Sequence, residues 1–445
     1  MAEDFTLGLY LDARTIVGNP EYLKALRDQL GLSLVIVGFT GEIPEEVLAQ
    51  SPFDGTPPSA ECMRSLLCTF IDGQPITYKL DSVQKLVGPA VHAGRDEGLM
   101  RQAIQSAHDV GLRVWLLGEA WTTSDWDNVM YCPSHEGVNR WYEALYVHMA
   151  SHYDVEGLDI THARYPMTSH PRGMFVCTCE RCARSAAEMG YNMAQVQASL
   201  YDALEKLKGI PAERLVRVAR DSMGASDYVQ LLDLQSGVVD WFRFRADLLA
   251  TKFARFRQAV HAAAGEGFVF GTDTYPASLA LFAGHNYTRW DRFSDFASPL
   301  ISHVDIFQAH TLVVWAEFLQ SILPGLGEAD ALQIIYRLVG YDCLDMPTRV
   351  ADFLLGDIGI VPGFATNPRC EFEHLPLRDL LALDMAKARL YLPEGLPSYP
   401  IIQGGGSPHN WPREIIEATI ASAKELGHQG VMLQGTRALL DFELR

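Results

Sequence analysis

The chain has 445 residues, 48% of them hydrophobic and 20% charged, with Gly and Pro near ordinary usage, which excludes disordered, collagenous and disulfide-scaffold classes. Its 55 Asp and Glu outnumber 36 Lys and Arg, and the formal net charge of −19 disfavours nucleic acid and anionic membranes as partners while leaving a neutral or cationic ligand easy to bind. No uninterrupted apolar run reaches about 18 residues, so no membrane span is predicted, and the acidic start MAEDF lacks a signal-peptide pattern, which predicts a cytoplasmic protein with reduced cysteines.

Short apolar runs bounded by turn residues alternate with amphipathic segments almost from end to end, the pattern of repeated βα units. FTLGLYL from Phe5 is the first strand; the amphipathic PEYLKALRDQLG, with its glycine stop, leads to LSLVIVGF from Leu32. DEGLMRQAIQSAHDVG precedes the third strand, LRVWLLG from Leu112, and NRWYEALYVHMASHY precedes the fourth, VEGLDIT from Val155. A long helical tract ending in WFRFRADLLATKFARFRQAVHAAAG leads to the fifth, GFVFGTD from Gly267. The sixth, seventh and eighth are FASPLIS from Phe296, YPIIQGG from Tyr399 and GVMLQGT from Gly430, after which only a short last helix fits.

Eight βα repeats predict an α/β fold, one (β/α)8 TIM barrel spanning 1–445, with long helical insertions after strands 2, 4 and 6. The insertions after strands 4 and 6 cover about 167–230 and 304–395. In such a barrel, residues just past the C-terminal ends of the strands point to a common centre. Those positions are acidic here: Asp12 with Arg14 after strand 1, Glu119 after strand 3, Asp159 with Thr161, His162 and Arg164 at strand 4, and Asp273 at strand 5. His303 ends strand 6 and Gln403 strand 7.

Converging carboxylates repel unless one holds a proton, a metal intervenes or an arginine compensates, and that is the setting for acid/base chemistry. Cleavage of a glycosidic bond needs such a pair: an acid to protonate the leaving oxygen and a carboxylate to attack the anomeric carbon or activate water. Asp159 and Asp273, on neighbouring strands, are the best pair by position, with Glu119 as substitute for either. A single strand-end Asp is as easily a turn former or helix cap, so the argument rests on the group. Aromatics lie beside the same positions, Tyr10, Trp121, Trp126, Tyr165, Tyr275, Trp290 and Trp411, and could stack on the apolar faces of sugar rings. The expected substrate contacts are Asp12, Arg14, Trp121, His162, Arg164, Tyr275, His303, Gln403, His409 and Trp411. QGGGSPHNWP (403–412) could cradle a phosphate, but with no Lys nearby it reads better as a plain loop presenting His409 and Trp411.

FVCTCERC (175–182) carries three cysteines in C-x-C-x-x-C spacing, enough for three ligands of a tetrahedral ion. Cys132, in the loop after the adjacent third strand, is the leading fourth ligand. Cys132, Cys177, Cys179 and Cys182 would together close the coordination of a structural Zn²⁺. Ordinary buried thiols at the start of a helix are the plainer alternative.

The segments 132–166, 175–192 and 271–303, with HQGVMLQGT near the end, resemble uncharacterised α-amylase-like glycoside hydrolase barrel families. That resemblance implies a (β/α)8 barrel acting on glycosides. The cysteine pattern is similar to that of the family 42 β-galactosidases, which also pair a Cys-Pro after strand 3 with C-x-C-x-x-C after strand 4, and there it implies a structural zinc site. The acid of those enzymes follows an Asn at the end of strand 4, where this chain has Thr161-His162, so the zinc ligands carry over and the acid does not.

The sequence reading is therefore a cytoplasmic glycoside hydrolase with a carbohydrate substrate, a structural zinc and no cofactor needed for catalysis, and it leaves homo-oligomerisation open. Two other readings stand beside it. One is a sugar or sugar-acid lyase or isomerase using Mn²⁺ or Mg²⁺ held by Glu119, Asp159, Asp273 and His303; the other is a carbohydrate-binding barrel without turnover.

Overall fold

The computed structural model describes residues 5–52, 60–69, 95–121, 130–165, 174–221, 224–353, 375–405 and 411–442. All eight expected strands form: β1 (Thr6–Leu11), β2 (Leu34–Gly38), β3 (Arg113–Glu119), β4 (Gly157–Thr161), β5 (Val269–Thr274), β6 (Ala297–Pro299), β7 (Ile401–Gln403) and β8 (Gly430–Gln434). They pair in parallel in the order β6-β5-β4-β3-β2-β1-β8-β7. Parallel bridges Ala297–Ser398 and Leu300–Ile401 join the two end strands, with the Ile301 and Tyr399 amides donating to Ile401 and Ala297 carbonyls at 3.2 and 2.8 Å. The sheet thus closes into a (β/α)8 barrel.

Alternation along each strand separates two apolar cores. Val35 and Val37, Val114 and Leu116, Leu158 and Ile160 are fully buried on one face, toward the helices. The other face fills the barrel. Its floor is Trp115, stacked on Phe296 at 4.8 Å and edge-on to Tyr399 at 6.1 Å. A Cβ on Gly157 would lie 2.8 Å from the Trp115 indole nitrogen, and one on Gly271 would lie 2.4 Å from the Phe296 ring, so these two strand glycines leave the room that the floor occupies.

Helices Glu180–Glu188, Met193–Gly209, Ala212–Arg220 and Ala225–Leu231 follow β4 before the long helix Ser236–Ala264, which returns to β5. Its Phe253 and Phe256 pack against Trp121, and Phe256 also meets Tyr146. Truncating either ring to Ala would cost about 3–5 kcal/mol. Helices His310–Ile322, Glu328–Val339 and Leu377–Tyr391 lie between β6 and β7.

Two expectations change. The β5–β6 connection holds only 3₁₀ turns, Ala280–Ala283 and Tyr287–Arg292, because Gly284 at φ 82° reverses the chain before a full α-helix can form. After β8 the chain makes a turn over 437–439, with no helix among the described residues. No helix among the described residues is long and apolar enough to cross a membrane.

Candidate active site and four-cysteine centre

β4 and β5 lie side by side with Asp159 opposite Gly271. Thr161 and Asp273, each two residues further along, therefore share the inner face with Asp159 near the C-terminal mouth. Asp159 is 0% exposed and Asp273 2% exposed. The Tyr10 hydroxyl, on β1 across the barrel, donates to Asp159 Oδ2 at 2.6 Å, and Asp159 Oδ1 is buried with no hydrogen-bond partner among the described residues. Burial pushes the Asp159 carboxyl up to about 7; the Tyr10 hydrogen bond opposes this and the Asp273 charge adds to it.

Asp273 is held differently. Thr161 Oγ1 donates to its Oδ2 at 2.7 Å, and Arg164 Nη1 lies 3.8 Å from the same oxygen. Burial raises the proton affinity of Asp273 above the ordinary carboxylate range, and Arg164, Thr161 and the backbone N–H of His162 offset only part of that rise. His162 adopts φ 62°, a left-handed conformation costing an L-residue about 1–2 kcal/mol, where the chain turns between β4 and Arg164. Its imidazole is kept neutral by burial and by the neighbouring Arg164 and His303. The Arg164 guanidinium lies over the Tyr275 and Phe307 rings at 5.6 and 5.1 Å, so Asp159, Asp273, Thr161, His162, Arg164, Tyr275 and His303 form one neighbourhood.

The other expected residues fall elsewhere. Glu119 ends β3, its carbonyl accepts from Tyr146 Oη at 2.7 Å, and its charge acts on Tyr142 and Tyr146 rather than on Asp159. Trp121, expected on the substrate wall, is fully buried under the long helix and donates to Asn139 Oδ1 at 3.0 Å, because the chain leaves the sheet after Glu119. Trp411 is also buried, and Gln403 spends its amide on Ser302 O and Gln434 Oε1 at 3.2 and 3.3 Å. Asp12 caps the helix Ala13–Gly18 by accepting from Thr15 N at 2.9 Å, and Arg14 is exposed on its first turn. His409 and Trp126 lie outside the described residues.

A cleft of about 980 Å³ opens at the mouths of β1, β2, β3 and β8. Asp12, Thr15, Arg437 and Asp441 line it, and Tyr10 and Leu117 form its inner wall. Tyr10, which bonds Asp159, and Leu117, which pairs with Asp159 in register, both line it, so the cleft reaches the residues that hold Asp159. Tyr10 was findable as a partner of the pair: it precedes Asp12 by two residues, and alternation turns it inward.

The four cysteines converge as expected. Their sulfurs all lie within 4.8 Å of one another, Cys132 Sγ at 3.6 Å from Cys179 and 3.4 Å from Cys182. This is far longer than the roughly 2.05 Å of a disulfide and suits thiolates around one tetrahedral ion. The quartet can therefore hold a metal ion. Among the described residues it is the cluster of His, Cys, Asp and Glu side chains that could do so; Glu119, Asp159, Asp273 and His303 do not form such a set.

A fifth cysteine, Cys68, lies beside this cluster. Leu67 bridges Tyr131 in antiparallel fashion and Cys132 N donates to Leu66 O, which brings Cys68 beside Cys132 and Cys177. Burial and the neighbouring thiols push the Cys68 thiol up, so it stays protonated. The next amide, Thr69 N, donates to Cys177 Sγ at 3.3 Å.

No family model matches the chain, and no curated protein does. Among solved structures, the PgaB (BpsB) glycoside hydrolase domain of Bordetella bronchiseptica aligns over 97% of this chain and 94% of its own, at 9% identity and a TM-score of 0.47. The catalytic domain of a β-amylase from Paenibacillus polymyxa aligns over 99% and 94%, at 9% identity and a TM-score of 0.44. The α-L-fucosidase isoenzyme 2 of Paenibacillus thiaminolyticus aligns over 99% of this chain and 47% of its own, at 11% identity and a TM-score of 0.41.

Proposed function

We propose that the protein is a glycoside hydrolase in which Asp159 is the general acid and Asp273 the carboxylate that attacks the anomeric carbon or activates water. The observation that carries this reading is the unequal setting of two buried carboxyl groups on adjacent strands. Among the described residues no cation pairs with Asp159, which takes up a proton near neutral pH, whereas Asp273 has Arg164 and Thr161 to hold its charge. Both carboxyl groups are raised by burial, but only Asp273 has a cation to offset it, and such unequal settings suit acid and base roles. With Tyr10 donating to Oδ2, the proton resides on Asp159 Oδ1, the oxygen left without a protein partner, from which it can pass to a glycosidic oxygen. The ion of the four-cysteine centre is, on this reading, a structural zinc: about 2.3 Å per Zn–S bond implies S···S separations of about 3.8 Å, close to those found.

The test is turnover of a panel of nitrophenyl glycosides by wild type and the Asp159→Asn and Asp273→Asn variants. A loss of about 10²–10⁴-fold in kcat/KM for Asp159→Asn, with an unchanged circular dichroism spectrum, is expected. Near wild-type activity in that variant removes Asp159 from the role. Activity lost on chelation and restored by Mn²⁺ or Mg²⁺ would favour the lyase or isomerase reading, and saturable sugar binding without turnover a binding barrel.

A further inference from the structure

Arg245 sits in the middle of the long helix Ser236–Ala264 and is 0% exposed. Its Nη1 donates to Met174 O at 3.1 Å, the carbonyl that also accepts from Trp241 Nε1 at 2.9 Å, while Nε and Nη2 are buried without hydrogen-bond partners among the described residues. The guanidinium lies 4.2 Å over the Tyr165 ring and 5.1 Å from that of Trp241. Among the described residues it makes no ion pair with a carboxylate. A buried guanidinium held by one carbonyl and two aromatic faces is expensive unless a negative charge lies nearby.

Four thiolates around a divalent ion leave two negative charges in excess, which is equally expensive to bury. Met174 lies three residues before Cys177, so the carbonyl that Arg245 grips belongs to the strand of chain entering the cysteine loop. The helix Glu180–Glu188, with Cys179 as its N-cap, adds partial positive charge at its N-terminus, but not a full charge. We propose that Arg245 is the counter-charge of the four-thiolate metal site, and that through Tyr165 it fastens that site to the loop carrying Arg164.

Tyr165 is itself fully buried, its amide donates to Ala283 O at 2.9 Å, and it adjoins Arg164 in the chain. Arg245 is thus a positioning residue: the metal centre holds Arg245, Arg245 holds Tyr165, and Tyr165 fixes the start of Arg164's approach to Asp273. The first link rests on the reading of the cysteines as a zinc site, and the last on the reading of Asp273 as catalytic.

The experiment is zinc affinity of the full chain, measured by competition with a chromophoric chelator, in a charge-balance cycle. Arg245→Met should weaken zinc binding about 10–100-fold, the range for loss of a supporting interaction around a metal. Arg245→Lys, which keeps the charge, should remain within about threefold of wild type. Cys179→His, at the most exposed of the four ligands, removes one negative charge and should largely rescue zinc binding in the Arg245→Met background.

Equal zinc affinity in Arg245→Met and wild type overturns the inference, as does a Cys179→His effect that is the same in both backgrounds. If Arg245→Met does not fold, recovery of folded, zinc-loaded protein in the double variant supports the charge argument, and failure of the double variant as well assigns Arg245 to packing alone. Absence of tight zinc binding in wild type would instead strike the metal reading itself. Zinc affinity that does not depend on Arg245, beside an inactive Asp159→Asn variant, would leave the proposed hydrolase reading standing while this inference fell.

Discussion

Asp159 is held in a place that suits a proton better than a charge. Between about pH 4 and 7 the folded protein binds that proton while the unfolded chain releases it, so stability falls as pH rises through this window, by at most about 4 kcal/mol. Asp159→Asn removes the cost. The variant is expected to be inactive and yet more resistant to urea than wild type at pH 8, with the difference vanishing toward pH 4; a variant less stable at pH 8 would contradict the burial argument. If Asp159 is the general acid, the same proton sets the basic limb of kcat/KM near pH 7. Tyr10→Phe removes a donor that favours the charged form, so that limb should move up by about one pH unit. An unmoved limb would show that Tyr10 does not act on the titrating acid. At this scale the sequence was informative about type and poor about direction. Asp159, Asp273 and Arg164 were legible as strand-end residues, whereas Trp121 and Trp411 were misjudged because proximity in sequence to a strand end does not say which side of the sheet a ring enters.

The strands were legible because their apolar runs are short and sharply bounded by Gly, Pro and Asp. The long β4–β5 excursion was legible as helical but not in its consequences, since nothing local connects Arg245 or Cys68 to the cysteine loop. Arg245 does share a helix face with Trp241, four residues earlier, which is the one sequence hint that it is buried. The four-cysteine loop predicts that Cys179→Ser lowers zinc affinity at least tenfold and melting temperature with it, while activity declines only as the fold loosens; metal content by mass spectrometry should fall from about one per chain. A second prediction concerns closure. β6 and β7 have three residues each and meet through isolated bridges, whereas β2 and β3 pair along five positions. Amides of Ala297, Ile301 and Tyr399 should therefore exchange with deuterium well before those of β3, and equal protection would mean that the junction is no weaker than the rest.

At the scale of the whole molecule, the excess of acids matters more for approach than for fold. The formal charge of −19 repels an anionic saccharide over distances of about one Debye length, and added salt screens that repulsion. If the protein hydrolyses glycosides, neutral substrates should show little change of kcat/KM between 20 and 300 mM salt, on the order of twofold or less, while uronic or sulfated analogues improve with salt. A neutral substrate with the stronger salt response would point to a local cationic patch outweighing the mean field.

The barrel floor offers one more consequence. Trp115 leans on Phe296 and Tyr399, the residues that flank the junction of β6 and β7. Its indole is a built-in lamp beside the seam. The fluorescence difference between wild type and Trp115→Phe isolates that lamp, and its shift to the red under mild denaturant would time the parting of the barrel wall separately from the unfolding of the helices outside it.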